Sequence, residues 1–169
     1  MSFLAEAVEK LSATPVLAAD LTRGLSEEQL SRRPKADLFS LRESVLHLRD
    51  VDIEGYEQRV RLILQENSPM LPDVDGGKLA RERLYNAQPV EPALADLARS
   101  REASIKTLVG LSEADLERTA DMQGVGRITL RRLLEMWMQH DSDHLADMAE
   151  MRRAVEGGPA PSFGTHQAA

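Results

Sequence analysis

The sequence predicts an all-α protein, a four-helix bundle with one long connection between its second and third helices. Leucine and alanine, which favour helices, together outnumber valine, isoleucine and the aromatic residues, which favour strands. No segment shows the strict alternation of a half-buried strand, whereas four long segments repeat apolar residues every three or four positions. We therefore expect an up-and-down arrangement of four helices.

Length, charge and composition set the class of protein. The chain has 169 residues, of which 42% are hydrophobic and 29% charged, and this suits one domain with its own core. We assign the bundle to residues 1–156 and a flexible tail to residues 157–169. The net charge of −7 repels phosphate backbones, and no apolar run approaches the roughly 20 residues of a membrane span. The N-terminal segment lacks the features of a signal peptide, so we expect a cytoplasmic protein that binds neither nucleic acid nor membranes.

The first predicted helix covers about 3–23, where small and aliphatic residues fall on one face. Thr14 and Pro15 interrupt this pattern. Either the helix is kinked at Pro15, or a new helix begins there with Thr14 as its N-cap.

The second predicted helix covers about 41–66 and is followed by a long connection. Ser40 and Glu43 form a capping box, in which each side chain accepts a hydrogen bond from a free backbone amide. Residues 68–90 contain three prolines and two consecutive glycines, which disfavour a long helix. This segment is therefore the crossover to the third helix.

The third and fourth predicted helices cover about 92–109 and 130–155. The apolar stripe of the third helix includes one charged residue, Arg101. Thr129 is expected to cap the fourth helix, and the glycines that follow residue 155 are expected to end it.

Two of the four histidines, His140 and His144, lie four residues apart on the fourth predicted helix. Such positions share one helix face at about 6 Å, so two imidazoles there can bind one ion. Both fall inside the apolar stripe that includes Trp137 and Met148. A polar ring in that place costs free energy unless it is hydrogen-bonded or binds a metal. The spacing indicates a metal site, with hydrogen-bonded core histidines as the alternative.

His47, at the edge of the apolar face of the second helix, is the third candidate ligand. Alone it would be a half-exposed helical histidine. However, bundled helices lie about 8–10 Å apart, so an inward side chain can complete a site on a neighbouring helix. Three imidazoles with an open fourth position are typical of catalytic zinc, and nickel and iron also accept nitrogen ligands. We expect His166, in the tail, to take no part.

Asp141 takes the position that Glu holds in the H-E-x-x-H motif, and this departure argues against a metalloprotease. Within the apolar face its carboxylate can orient a ligand histidine or hold a water molecule on the metal. A salt bridge to an arginine of another helix is the alternative interpretation. Asp141 is therefore the candidate catalytic residue, placed behind the metal ligands.

Three segments together resemble the DinB-like (YfiT-like) superfamily of bacterial four-helix-bundle metalloproteins. They are residues 39–47, 126–135 and 140–144, and the similarity extends to about residue 155. The resemblance implies that the metal ligands are His47, His140 and His144. It also implies a divalent ion, namely zinc, nickel, iron or manganese, and a homodimer. Members of that superfamily include enzymes that use a low-molecular-weight thiol, so the resemblance also implies such a thiol as a candidate cosubstrate.

Two hypotheses about function follow. The first is a metal-dependent enzyme for a small-molecule substrate, a thiol S-transferase or a hydrolase, with residues 68–90 closing a pocket beside His47. The second is a non-catalytic metal-binding and dimerisation module, related to stress, in which Asp141 or another carboxylate completes the coordination of the ion. An open fourth position would favour the enzyme.

Overall fold

The computed structural model describes residues 2–159 and contains the four long helices. The helices are α1 (Phe3–Thr22), α2 (Glu27–Ser31), α3 (Leu41–Asp50), α4 (Gln58–Gln65), α5 (Gly76–Glu82), α6 (Val90–Val109) and α7 (Leu130–Val155). A π-helical segment, Val51–Glu57, joins α3 to α4 into one continuous bundle helix, and short 3-10 helices cover Tyr85–Ala87 and Asp115–Glu117. The predicted four-helix bundle, with its long connection between the second and third helices, is confirmed. His166 and the rest of the tail beyond residue 159 lie outside the described residues.

Local capping chemistry begins the helices where the sequence predicts. The Ser40 hydroxyl accepts a hydrogen bond from the Glu43 amide at 3.2 Å, and the Glu43 carboxylate accepts one from the Ser40 amide at 2.9 Å. The Thr129 hydroxyl caps α7 by accepting a hydrogen bond from the Arg132 amide at 3.1 Å. In contrast, α1 continues through Pro15 as one helix, so the interpretation of Thr14 as an N-cap is wrong.

The order of the helices around the bundle differs from the up-and-down prediction. Helix α1 packs against α6 and α7, and α3 packs against the same two helices. The first and second bundle helices are therefore diagonal to each other rather than adjacent. Residues 23–40, which include α2, are long enough to cross the end of the bundle and so allow this diagonal arrangement.

A small sheet joins the connection between α4 and α6 to the connection between α6 and α7. The sequence does not predict this sheet. Its strands are β1 (Met70–Leu71), β2 (Thr119–Met122) and β3 (Gly126–Thr129). β2 pairs with β1 in parallel and with β3 in antiparallel orientation. Strands of two to four residues are too short to show an alternating pattern.

The core consists of two apolar clusters separated by a polar layer. One cluster includes Leu11 and Trp137, and the other includes Leu46 and Met148. Between them, each of the four bundle helices contributes a buried polar side chain: Thr14, Asp52, Arg101 and Asp141. The candidate functional residues lie in and beside this layer.

Candidate metal centre

Three imidazoles meet where α3 faces α7. One ring nitrogen of each of His47, His140 and His144 lies within 4.8 Å of the others. The Nε2 atoms of His47 and His140 are 3.2 Å apart. Two nitrogen ligands of a tetrahedral ion, each about 2.0–2.1 Å from it, are about 3.3 Å apart. The spacing of these two rings therefore fits joint coordination of one ion.

Burial keeps His47 uncharged. The residue is 1% exposed, which excludes the alternative of a half-exposed helical histidine. Burial, with a smaller contribution from His140, lowers the pKa of His47 to about 3, although Asp50 and Asp141 oppose this shift. At neutral pH the ring is therefore neutral and offers a nitrogen lone pair. Within residues 2–159 its buried Nδ1 has no hydrogen-bond partner, and its Nε2 faces Nε2 of His140 rather than a carbonyl or carboxylate. Both observations disfavour the alternative of a core histidine satisfied by a carbonyl or carboxylate.

The long connection covers His47. A Cβ atom at Gly76, the first residue of α5, would lie 2.3 Å from Cε1 and 2.5 Å from Nδ1 of the His47 ring. Only glycine fits this contact without a shift. The Phe39 ring packs against His47 as well, with 5.3 Å between ring centroids. Gly76, within residues 68–90, thus covers one side of His47.

A first polar cluster, the Asp50 cluster, anchors this cover to α3. The Asp50 carboxylate accepts hydrogen bonds from the Tyr85 hydroxyl and from Arg83 at 2.7 Å. Arg49 donates to its other oxygen at 2.6 Å, and Arg83 also pairs with Glu54. Burial raises the pKa of Asp50, but these hydrogen bonds outweigh it and the pKa is lowered overall. Asp50 is therefore a carboxylate that holds the connection in place.

A second polar cluster, the Arg101 cluster, joins all four bundle helices behind His140. Arg101 donates from Nε and Nη2 to Oδ1 of Asp52, at 2.9 and 2.6 Å. Its Nη1 donates to Oδ2 of Asp141 at 2.6 Å, and the Thr14 hydroxyl donates to the same oxygen at 2.7 Å. The cluster is buried and holds two carboxylates and one guanidinium.

Asp141 makes both a contact with a ligand histidine and a salt bridge to an arginine, which the sequence analysis gives as alternatives. Besides its salt bridge to Arg101, its Oδ1 lies 3.3 Å from Nδ1 of His140. Burial raises the pKa of Asp141, but the charge of Arg101 and the contact with His140 outweigh it and lower the pKa overall. Among the described residues, the group of converging ligand atoms contains the three histidines and no carboxylate.

Aromatic rings pack beside the site. Trp137 is fully buried, as predicted for a core residue, and it stacks on Tyr56 with centroids 5.0 Å apart. Tyr56 also lies 5.6 Å from the ring of His140. Over the nine residues from His47 to Tyr56, a regular α-helix would turn about 900° and place the two on opposite faces. The π-helical segment accommodates one extra residue, and both side chains therefore reach His140.

The sequence predicts the three histidines and Asp141 as site residues but does not predict the residues that surround them. Arg101 carries a signal, since a charged residue in an apolar stripe needs a buried partner. The sequence contains no comparable signal for Asp52 and Tyr56, because their orientation depends on the π-helical segment. Gly76 is visible only as one of two consecutive glycines.

The fold and these side chains define a four-helix-bundle protein with a three-histidine candidate metal centre. A family model described as the DinB superfamily matches residues 10–148. The chain belongs to this superfamily.

Relatives agree with this assignment. The chain is 29% identical over 150 residues to a Bacillus licheniformis protein named "Putative metal-dependent hydrolase", covering 86% of this chain and 82% of that protein. An Oceanobacillus iheyensis protein of the same name is 25% identical over 146 residues, covering 86% of this chain and 84% of that one. The structure of YfiT from Bacillus subtilis, described as "a probable metal-dependent hydrolase with an unusual four-helix bundle topology", superposes with a TM-score of 0.84 at 20% identity. The match covers 90% of this chain and 87% of YfiT, and it supports the fold.

No helix among residues 2–159 is both long enough and apolar enough to cross a membrane.

Proposed function

We propose that the protein is a metal-dependent enzyme of the hydrolase class, with His47, His140 and His144 as the ligands of one divalent ion. The observation that carries the proposal is the convergence of three ring nitrogens within 4.8 Å. The names of the hydrolase relatives support the same class.

The donor set suits zinc, nickel, iron or manganese, because neutral imidazoles bind first-row divalent metals well. When bound, such an ion would lower the pKa of a water molecule or a thiol and would polarise a substrate carbonyl. Among the described residues no carboxylate joins the three histidines, so this donor set would leave a fourth position for a small-molecule substrate, and this favours the enzyme over the module.

The protein's own residues would prepare this site. Asp141 would hold the ring of His140 from behind, while Gly76 and Phe39 exclude water from the His47 side. The His140 side chain is 20% exposed. We therefore expect a substrate to approach along His140.

Metal content tests the ligand set directly. Protein purified without nickel resin should contain about one divalent ion per chain by elemental analysis. His47→Ala, His140→Ala and His144→Ala should each lose it, whereas His166→Ala should retain it. Full occupancy and unchanged affinity in His47→Ala would refute a three-histidine site.

Acid should release the ion, because protons compete with it for the imidazoles. Affinity should fall as the pH drops through about 6.5, the ordinary pKa of histidine, and below. Metal retained without weakening down to about pH 4 would point to carboxylate ligands instead.

Cobalt substitution separates the enzyme from the non-catalytic module. If the fourth position is open, a small thiol should bind there and add a thiolate-to-cobalt charge-transfer band in the near ultraviolet. Turnover of ester, amide or thiol-acceptor substrates by the metal-loaded protein then distinguishes a hydrolase from a thiol S-transferase. A cobalt protein that is spectrally indifferent to millimolar thiols and inert to such substrates would favour the module, with a role in stress.

The homodimer implied by the resemblance remains a prediction. Size-exclusion chromatography with light scattering should give twice the chain mass of 18.8 kDa. A monomer at micromolar concentration would remove dimerisation from the proposal and leave the metal site untouched.

A further inference from the structure

We propose that Arg101 is a positioning residue for the candidate metal site and acts on His140 through Asp141. The inference rests on the proposed metal function. It adds to the site a residue of α6, a helix that supplies none of the three imidazoles.

The two oxygens of Asp141 have different partners. Oδ2 accepts hydrogen bonds from Arg101 at 2.6 Å and from Thr14 at 2.7 Å. Oδ1 faces Nδ1 of His140 at 3.3 Å. Because a carboxylate is rigid, donors that fix Oδ2 also fix where Oδ1 points. Arg101 and Thr14 thus set the orientation of the oxygen that meets the ring.

That orientation selects one form of the His140 ring. A carboxylate can only accept hydrogen bonds, and a neutral imidazole carries one N–H group. The contact with Asp141 therefore favours the tautomer with hydrogen on Nδ1, which leaves the lone pair on Nε2. This Nε2 is the atom that lies 3.2 Å from Nε2 of His47. The metal-binding tautomer is the one that the Arg101 cluster supports.

Arg101 is itself held without freedom to move. It is 2% exposed, and two of its nitrogens donate to Asp52. Its Nη1 donates to the backbone carbonyl of Leu11 at 2.8 Å, and the guanidinium lies 4.8 Å from the ring centroid of Trp137. The hydroxyl of Ser100 lies 2.7 Å from the second oxygen of Asp52. The contacts from α6 to Asp141 are thus buried, and the last contact, from Asp141 to His140, is partly buried.

A double-mutant cycle distinguishes positioning from a merely structural salt bridge. Zinc affinity is measured at neutral pH, by competition with a chromophoric chelator, for the wild type, Arg101→Met, Asp141→Asn and the double variant. We expect each single change to weaken zinc binding about 10-fold and the double variant to be no weaker than the worse single variant. Arg42→Met is the matched control, since Arg42 is also buried but contacts Asn86 and Glu27, and its zinc affinity should stay within about twofold.

The tautomer of His140 provides a readout that stability alone would not move. Long-range ¹H–¹⁵N spectra of the metal-free wild type should show hydrogen on Nδ1, and folded Arg101→Met should show a mixture of both tautomers. If Arg101→Met does not fold by circular dichroism, Arg101→Lys replaces it. Lysine keeps the positive charge but lacks the planar fork that holds Asp52 and Asp141 together, so zinc affinity should fall about two- to fivefold with the same direction of tautomer change.

The outcomes separate this inference from the proposed function. The positioning role would be overturned if Arg101→Met lowered zinc affinity equally in the wild type and in Asp141→Asn. An unchanged His140 tautomer in folded Arg101→Met would overturn it as well. In the Arg101→Lys arm, unchanged affinity and tautomer would overturn it likewise. A wild type that binds no zinc would instead refute the proposed metal site.

Discussion

Asp50 and Asp52 stand two positions apart and accept hydrogen bonds from similar groups, yet they serve different parts of the molecule. Asp50 binds Arg83, whose side chain is 38% exposed, and holds the connection that covers His47. Asp52 binds Arg101, which is 2% exposed and belongs to the layer behind His140.

Helix geometry explains the divergence. A step of two residues along a helix corresponds to a rotation of about 200° about its axis. The side chains of Asp50 and Asp52 therefore point in nearly opposite directions. Asp50 therefore meets the long connection, and Asp52 meets α6. Burial of the arginine, rather than the type of donor, therefore decides whether an aspartate–arginine pair anchors a surface segment or orders an interior site.

The largest difference is expected when each arginine is removed. Arg101→Met leaves two buried carboxylates without their cation and should lower the free energy of unfolding by about 3–5 kcal/mol. Arg83→Met removes a half-exposed partner and should cost about 1 kcal/mol or less. Urea denaturation of the metal-free proteins measures both. Equal losses would mean that the two clusters are energetically equivalent.

Acid should destabilise the metal-free protein through His47. One carboxylate of each cluster, Asp50 and Asp141, opposes the lowering of its pKa by burial. Its pKa is about 3 when folded and 6.5 when unfolded, so the unfolded chain binds more protons between these values. The stability that His47 contributes is present above pH 6.5 and is lost as the pH falls towards 3, by an amount on the order of a few kcal/mol.

His47→Gln is the control for this prediction, because glutamine does not titrate. Urea denaturation with a chelator present, repeated across the pH range, should show a flatter profile for the variant. Parallel profiles for the two proteins would contradict a buried neutral His47.

Gly76→Ala tests the cover that the Asp50 cluster anchors. The added methyl would lie 2.3 Å from the His47 ring, so the cover or the ring must move, at about 1–3 kcal/mol of unfolding free energy. Zinc affinity should fall as well. Gly110→Ala is the matched control, because its Cβ would meet nothing closer than 3.5 Å. Similar losses in both variants would show that the contact with His47 is unimportant.

The smallest effects concern the hydroxyl donor of each cluster. Tyr85→Phe removes a hydrogen bond to Asp50, and Thr14→Val removes one to Asp141, at about 1 kcal/mol each. Only Thr14→Val should weaken zinc binding, because only its cluster touches His140. Zinc titration beside denaturation measures both. Weaker binding in Tyr85→Phe would erase the functional distinction between the clusters.

Local chemistry made much of the fold predictable. The capping box of Ser40 and Glu43 and the cap at Thr129 depend on neighbours within four residues, and both are confirmed. Helix order depends instead on how residues 23–40 cross the bundle, which no local pattern encodes. The short strands escape prediction because two to four residues do not establish a period.

The candidate site shows the same division. The spacing of His140 and His144 is local, and their convergence with His47 follows from packing bundle helices together. The depth at which His47 is buried cannot be inferred from helix packing, because it depends on Gly76 from a distant segment. Arg101 stands out in an apolar stripe, but its partner Asp52 lies in a helical segment whose π geometry the sequence does not indicate.

The π-helical segment makes the molecule sensitive to chain length at one place. Loss of a single codon within Val51–Glu57 would restore a regular α-helix, turn everything after it by about 100° and shift it by about 1.5 Å. His47, upstream, would keep its position, while Tyr56 would leave its stack on Trp137 and Arg59 would leave the carbonyl of Pro72. An in-frame deletion here would thus uncouple the two ends of one helix, an effect that no substitution at these positions can reproduce.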